Sequence, residues 1–350
     1  MGAHIVAIDT FIKDFMPNFQ INGWSNDWFG GYPLYYFYFP LPAIITFIFN
    51  LIFPFGIAFK IMVVMSTILV VYSIEKLMRK TSNQISIYGA TAGLFYVFTE
   101  SFTIYGGNLA STLAGQFSFA YSLAFANLSI FYLIKSENNF RFTISSIFLA
   151  LCLLSHLIPF IIYSPIYAFY WLSKKQNLNQ RILSIFIFLA LVSRWSVSLL
   201  MNLEYTTNMS YTPFSRLDDL IKKDILPIIF ILIGLLIAKH KNLIKNKTLN
   251  LFDFYIVSSS ILLYFYVPEG ALWNGRLVPF FNLGIIFLFF KAVEIFIDDI
   301  NLYQQGVNVL TGLFLGGTIY CLYIFYEKWS TNQSYLNLYI PIIFLIMIFA

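Results

Sequence analysis

Asp27 stands between Trp24 and Trp28 in the stretch NGWSNDWFGGYPLYYFYFPLP, residues 22–42. A carboxylate flanked by two indoles, followed by Gly30, Gly31, Tyr32 and a run of aromatic residues, has the make-up of a saccharide site. Aromatic faces stack on the apolar C–H surface of a sugar ring, glycines permit close backbone approach, and a carboxylate can take a hydroxyl proton. An interfacial aromatic belt uses the same residues, because Trp and Tyr settle at headgroup level. The belt accounts for the Tyr-Phe run, but it leaves Asp27 and the glycine pair without a purpose.

Further groups with chemical potential lie elsewhere. His4 and Asp14 precede the aromatic stretch and are candidate catalytic groups beside Asp27, although each could simply be solvated. Tyr105, Gly106, Gly107 and Asn108 form a polar run between apolar segments. They read either as a turn or as a cavity lining, since lipid cannot satisfy irregular backbone. His156 sits inside an apolar stretch, where a histidine faces a cavity or a partner, or caps the carbonyls freed at the Pro159 break. Trp273, Asn274 and Arg276 open another apolar segment. A guanidinium there can fork onto two phosphate oxygens or merely snorkel to the membrane edge. Arg194, deep in an apolar segment, requires a partner.

The elements that must carry these groups are apolar. Of 350 residues, 59% are hydrophobic, 20% aromatic and only 11% charged, whereas a soluble domain is about a quarter charged. Apolar segments fall near 41–58, 60–78, 85–99, 116–134, 142–172, 182–201, 225–238, 251–267, 277–297, 304–326 and 337–350. The pattern predicts an all-α polytopic membrane protein of about 10–11 hydrophobic helices. Segment 142–172 is too long for one span, and SHLIP (155–159) with Pro165 predicts a broken pair. Pro40, Pro42 and Pro54 leave the first segment short for a span, which predicts a re-entrant piece behind an outer aromatic loop, 1–40. Residues 41–350 form the transmembrane domain.

The net charge of +5 does not point to nucleic acid. Basic residues cluster at Arg79–Lys80, Lys135–Arg141, Lys174–Arg181 and Lys239–Lys247, as cytoplasmic loops do, which sets 100–115, 202–223 and 268–276 on the opposite side. Cys152 and Cys321 lie in apolar segments and give neither a disulfide framework nor a metal site. His4, His156 and His240 are too scattered for a zinc centre. The first twenty residues lack the apolar core of a signal peptide.

Taken together, GAH (2–4), the 22–42 stretch, SFTIYGGNLASTLAG (101–115), SHLIP (155–159), EYTTNMSY (204–211) and LWNGR (272–276) resemble a bacterial membrane family common in actinobacteria. That family is labelled 6-pyruvoyl-tetrahydropterin synthase-related and is similar to GT-C glycosyltransferases. The likeness covers residues 1–290 in order. It implies a GT-C-like fold in a bacterial cytoplasmic membrane, a polyprenyl-phosphate sugar as donor and a saccharide acceptor in the cell envelope. In the family an Asp precedes the Gly-Ala-His motif and serves as base. Here that position falls before Met1, so the resemblance implies a chain truncated at its start, and the apolar run ending at Ala350 implies the same at its end. Asp27, Asp14 and His4 then become the catalytic candidates. Trp24, Trp28, Tyr32, Tyr105, Asn108, His156, Trp273, Asn274 and Arg276 become the substrate-binding set, with no protein metal site and a divalent cation as an alternative helper to His4. A lipid-linked saccharide carrier and a non-catalytic scaffold are the rival readings. The pterin chemistry in the label does not follow, because it needs clustered histidines on zinc.

Overall fold

A computed structural model describes residues 2–27, 30–79, 86–99, 104–135, 139–207, 217–221, 225, 228–229, 251–266 and 273–298. Trp28, the basic run 239–247, most of segment 225–238 and the apolar segments 304–326 and 337–350 lie outside them. The described part is mostly helical. Its main helices are α1 (Gly2–Thr10), α2 (Leu41–Asn50), α3 (Phe55–Met78), α4 (Ile87–Phe98), α5 (Leu109–Ile134), α6 (Asn139–Ser155), α7 (Leu157–Ser173), α8 (Leu178–Met201), α9 (Leu251–Tyr266) and α10 (Val278–Asp298). Four among the described residues are long and apolar enough to cross a membrane: α3, α5, α8 and the stretch Asn274–Glu294. One departure from an all-α chain is a two-stranded antiparallel hairpin, β1 (Gly23–Ser25) with β2 (Tyr32–Leu34), inside the aromatic stretch.

Prolines and one histidine set the breaks. Pro40 and Pro42 start α2, which ends at Asn50 after 10 residues, about 15 Å or half a hydrocarbon core. Pro54 is extended (φ −56°, ψ 147°) and starts α3 afresh. The SHLIP break comes at His156 rather than at a proline. His156 is extended, and its Nδ1 accepts the Ile158 N–H at 3.2 Å as the N-cap of α7. Pro159 falls in the first turn of α7, where no intrahelical N–H is needed. The Ser122 hydroxyl lies within hydrogen-bond distance of the carbonyls of Cys152 (2.9 Å) and His156 (2.8 Å), tying α5 to both sides of the break. His156 thus caps an amide, not the carbonyls.

Helix α5 is the axis of the bundle, with 89% of its apolar window buried. Polar contacts fix its neighbours, because apolar side chains alone pack with little preference for one register. Tyr121 donates to the Met62 carbonyl at 2.7 Å, Tyr163 to Asn127 Oδ1 at 2.6 Å, and Asn127 Nδ2 to Ser73 Oγ at 3.1 Å. Between α9 and α10, Lys291 Nζ lies 2.7 Å from both carboxylate oxygens of buried Asp253.

One end of the bundle is basic. Lys174 donates to the last carbonyl of α5 (Ile134, 2.6 Å), Arg141 to Lys135 O (3.2 Å) and Arg181 to Lys174 O (2.7 Å), while Arg79 pairs with Glu75 (2.6 Å). Cations at helix C-termini complement the unsatisfied carbonyls and the helix dipole. The opposite end, where α5 and α10 begin, receives α1, the hairpin and Arg276.

Helix α8 is the outlier, with only 17% of its apolar window buried. Leu183, Phe186 and Leu189 are exposed. Its final turns nevertheless grip the aromatic stretch: Arg194 donates to Phe19 O, Trp195 Nε1 to Tyr38 O (2.9 Å) and Asn22 Nδ2 to Ser198 Oγ (2.6 Å). The polar residues in this apolar helix are therefore a latch on residues 19–38, and the partner that Arg194 required is a backbone carbonyl.

Candidate functional site

The start of α5 is irregular. Asn108 caps it, accepting the Ser111 N–H at 2.8 Å, and residues 112–116 form a π-helical turn. Such turns recur at functional sites. Within it Gly115 takes φ +114°, a conformation that disfavours any side chain. A Cβ on Gly115 would also lie 3.1 Å from Nε2 of His4, so α1 docks its histidine against bare backbone. The His4 ring then meets Phe117 edge-on (centroids 5.0 Å) and Tyr38 (5.7 Å).

A cavity of about 140 Å³ opens here, lined among others by His4, Ile8, Tyr32, Tyr35, Tyr38, Phe39, Phe117 and Ser118. Its back wall is aromatic. Phe39 is stacked on His156 (4.7 Å) and leans on Trp195 (5.5 Å), while Trp195 holds the Tyr38 carbonyl. Burial pushes the Tyr38 phenol up, with Ser118 and the Arg276 charge partly opposing it. Burial holds His4 below its ordinary value, so its imidazole is neutral at pH 7 and can accept a proton.

Arg276 anchors the adjoining cluster. Its Nη1 lies 2.9 Å from each of Ile104 O, Tyr105 O and Gln116 Oε1, and its guanidinium sits 5.9 Å from the Trp273 ring centroid. Tyr105 meets Trp273 edge-on at 5.1 Å. The turn it grips is contorted: Ile104, Gly106 and Gly107 have φ of 70°, 123° and 85°. Positive φ at a β-branched residue is a true outlier, sustained only by surrounding contacts. Gln116, bonded to Arg276, directly follows Gly115, which meets His4. The two clusters are therefore neighbours on one turn of α5.

The sequence-named residues divide accordingly. His4 and Tyr32 line the cavity, His156 supports its wall, and Tyr105, Trp273 and Arg276 form the adjacent cluster. Asn108 and Asn274 are buried and tied to backbone, Asn108 Nδ2 to Thr99 O (2.6 Å) and Asn274 Nδ2 to Tyr264 O (3.1 Å); they shape turns. Three residues point elsewhere. Asp27 is exposed and accepts from Thr10 (2.6 Å) and Ser25 (3.1 Å), bracing the hairpin against α1. Asp14 is exposed, and Trp24 is 62% exposed. Trp24 also explains Gly31, where a Cβ would come within 2.2 Å of its ring; the close approach is made by the chain's own indole. Among the described lining residues there is no carboxylate, and among the described residues no group of His, Cys, Asp or Glu could hold a metal ion.

Sequence reasoning missed Tyr35, Tyr38, Phe39, Phe117, Gln116 and Trp195 as parts of the site. A Gly-Gln pair inside an otherwise apolar segment was the available signal for Gln116. No protein-family model matches this chain, and comparison with curated proteins finds no match.

Proposed function

We propose that this chain is a GT-C-like membrane glycosyltransferase that moves a sugar from a polyprenyl-phosphate donor to an envelope acceptor at the outer face of a bacterial cytoplasmic membrane. One observation carries the reading: an aromatic cavity abuts an arginine cluster through a single turn of α5, at the end of the bundle opposite the basic loops. Aromatic walls suit a sugar ring, and a guanidinium suits its phosphate.

In the reaction, a base removes the proton of the acceptor hydroxyl as its oxygen attacks the anomeric carbon. The bond from that carbon to the phosphate oxygen breaks with inversion, and the lipid phosphate leaves with the electron pair. Neutral His4 is the base that the cavity wall offers, in place of Asp27 and Asp14. Arg276 stabilises the charge gathering on the phosphate.

The absence of a carboxylate from the described wall favours a second reading, a lipid-linked saccharide carrier that binds the same ligand without bond-making. Proteoliposomes with radiolabelled polyprenyl-phosphate sugar and crude envelope acceptor separate the two. The proposal expects a new glycosidic product that Arg276→Ala abolishes while the variant still inserts. Label that crosses the bilayer still attached to its carrier lipid establishes the carrier instead, and product formation unchanged by Arg276→Ala removes that residue from the mechanism.

A further inference from the structure

We infer that His156 is a fixed hydrogen-bond donor to the ligand, its Nε2–H bonding an oxygen of the phosphate held at Arg276. The inference rests on the proposed function and adds a binding residue to its site. His156 Nδ1 accepts the Ile158 N–H at 3.2 Å as the N-cap of α7. A neutral imidazole carries one proton, and the ring nitrogen that accepts an N–H cannot hold it. The proton therefore sits on Nε2, and the start of α7 sets the tautomer. The described hydrogen bonds of His156 use its backbone and Nδ1, which leaves Nε2–H for a ligand.

The ring stands where the two clusters join. It is stacked on Phe39, which lines the cavity, with centroids 4.7 Å apart, and it meets Phe119 edge-on at 5.3 Å. Phe119 in turn packs against the turn that Arg276 grips, for a Cβ on Gly106 would come within 2.5 Å of its ring. His156 is partly exposed although its ring lies among aromatic neighbours, and the Arg276 charge acts on it. A neutral N–H suits this place. It gives the phosphate a charge-assisted bond without setting a second cation beside Arg276.

Two substitutions separate the cap from the donor. Asn carries its carbonyl oxygen at the place of Nδ1, so His156→Asn keeps a favoured N-cap and lacks Nε2–H. Gln carries its amide nitrogen at the place of Nε2, so His156→Gln keeps the donor and lacks the cap. The test uses the full chain in nanodiscs and calorimetric titration with inorganic phosphate and glucose 1-phosphate. His156→Asn is expected to bind both about tenfold or more weaker at an unchanged Tm, and His156→Gln to stay within about threefold of wild type at a lower Tm. The chain has three histidines, so the ring nitrogens of His156 are assigned in nitrogen-15 spectra by their loss in His156→Asn. They are expected to show the proton on Nε2 and to move at Nε2 when phosphate is added. A proton on Nδ1, wild-type affinity in His156→Asn, or equal loss in both variants overturns the inference. Weakened glucose 1-phosphate binding with inorganic phosphate unchanged overturns it too, by placing the donor on the sugar. The proposed function is judged separately: Arg276→Ala leaving both affinities unchanged defeats the phosphate clamp, whereas Arg276-dependent binding that His156→Asn does not weaken defeats only the histidine donor.

Discussion

Asp253→Asn strands the ammonium of Lys291 between α9 and α10. Both side chains are nearly dry, at 1% and 6% exposure, and Lys291 Nζ contacts both carboxylate oxygens at 2.7 Å. Breaking a buried pair by removing one partner costs about 3–5 kcal/mol, because the surviving charge is left uncompensated. Replacing both partners with apolar residues of similar volume removes the charge and its desolvation cost together, and such exchanges are neutral or stabilising by about 1–4 kcal/mol. Asp253→Asn alone is therefore expected to lose about 3–5 kcal/mol, Lys291→Met alone to lose less, and Asp253→Leu with Lys291→Met to return to wild type or above. Denaturation of the purified protein in mixed micelles, followed by tryptophan fluorescence, reads all four species. A double variant as unstable as the sum of the singles would refute the reasoning, showing that the two residues contribute independently rather than as a pair.

Three other outcomes follow from the site. Gly115→Ala forces a Cβ into φ +114° and to 3.1 Å from His4; it is expected to cost about 1–3 kcal/mol in the same assay and to weaken sugar-phosphate binding. Trp195→Phe leaves the Tyr38 carbonyl without its indole donor, for a loss of about 0.6–1.7 kcal/mol, and loosens the cavity wall, seen as faster hydrogen exchange at residues 36–39. His4 is held neutral in the fold, below its ordinary value of 6.5. The unfolded chain therefore takes up a proton first as pH falls, and the stabilisation present above pH 6.5 is lost below it. Wild type should lose more stability than His4→Gln between pH 7.5 and 5.5, and parallel losses would contradict the assignment.

The chain breaks could be read because proline and polar residues leave a mark in apolar text. Pro54 and SHLIP foretold the restart of α3 and the split between α6 and α7, although the hinge proved to be His156 itself. The hairpin at 23–34 could not be read, since three-residue strands carry too little alternation to register. For the site, residue type was informative and orientation was not. Trp24 and Asp27 looked like ligand groups, yet the hairpin turns both outward, one onto Gly31 and the other onto Thr10. The neighbouring Tyr35, Tyr38 and Phe39 looked like membrane belt and line the cavity instead. Asn108 had the right chemistry for a ligand, but a helix start needed its amide first. Partners far apart in sequence left no local trace: Arg276 with Gln116, Trp195 with Tyr38, and Lys291 with Asp253.

The central claim is that the aromatic stretch and Arg276 share one ligand. The most direct measurement is photo-crosslinking with a diazirine-bearing farnesyl phosphate in nanodiscs, with labelled peptides mapped by mass spectrometry. The account predicts labels on α1, on residues 32–42 and on 104–118, lost in Arg276→Ala and suppressed by glucose 1-phosphate. Labelling confined to the exposed face of α8, or unaffected by Arg276→Ala, would contradict it.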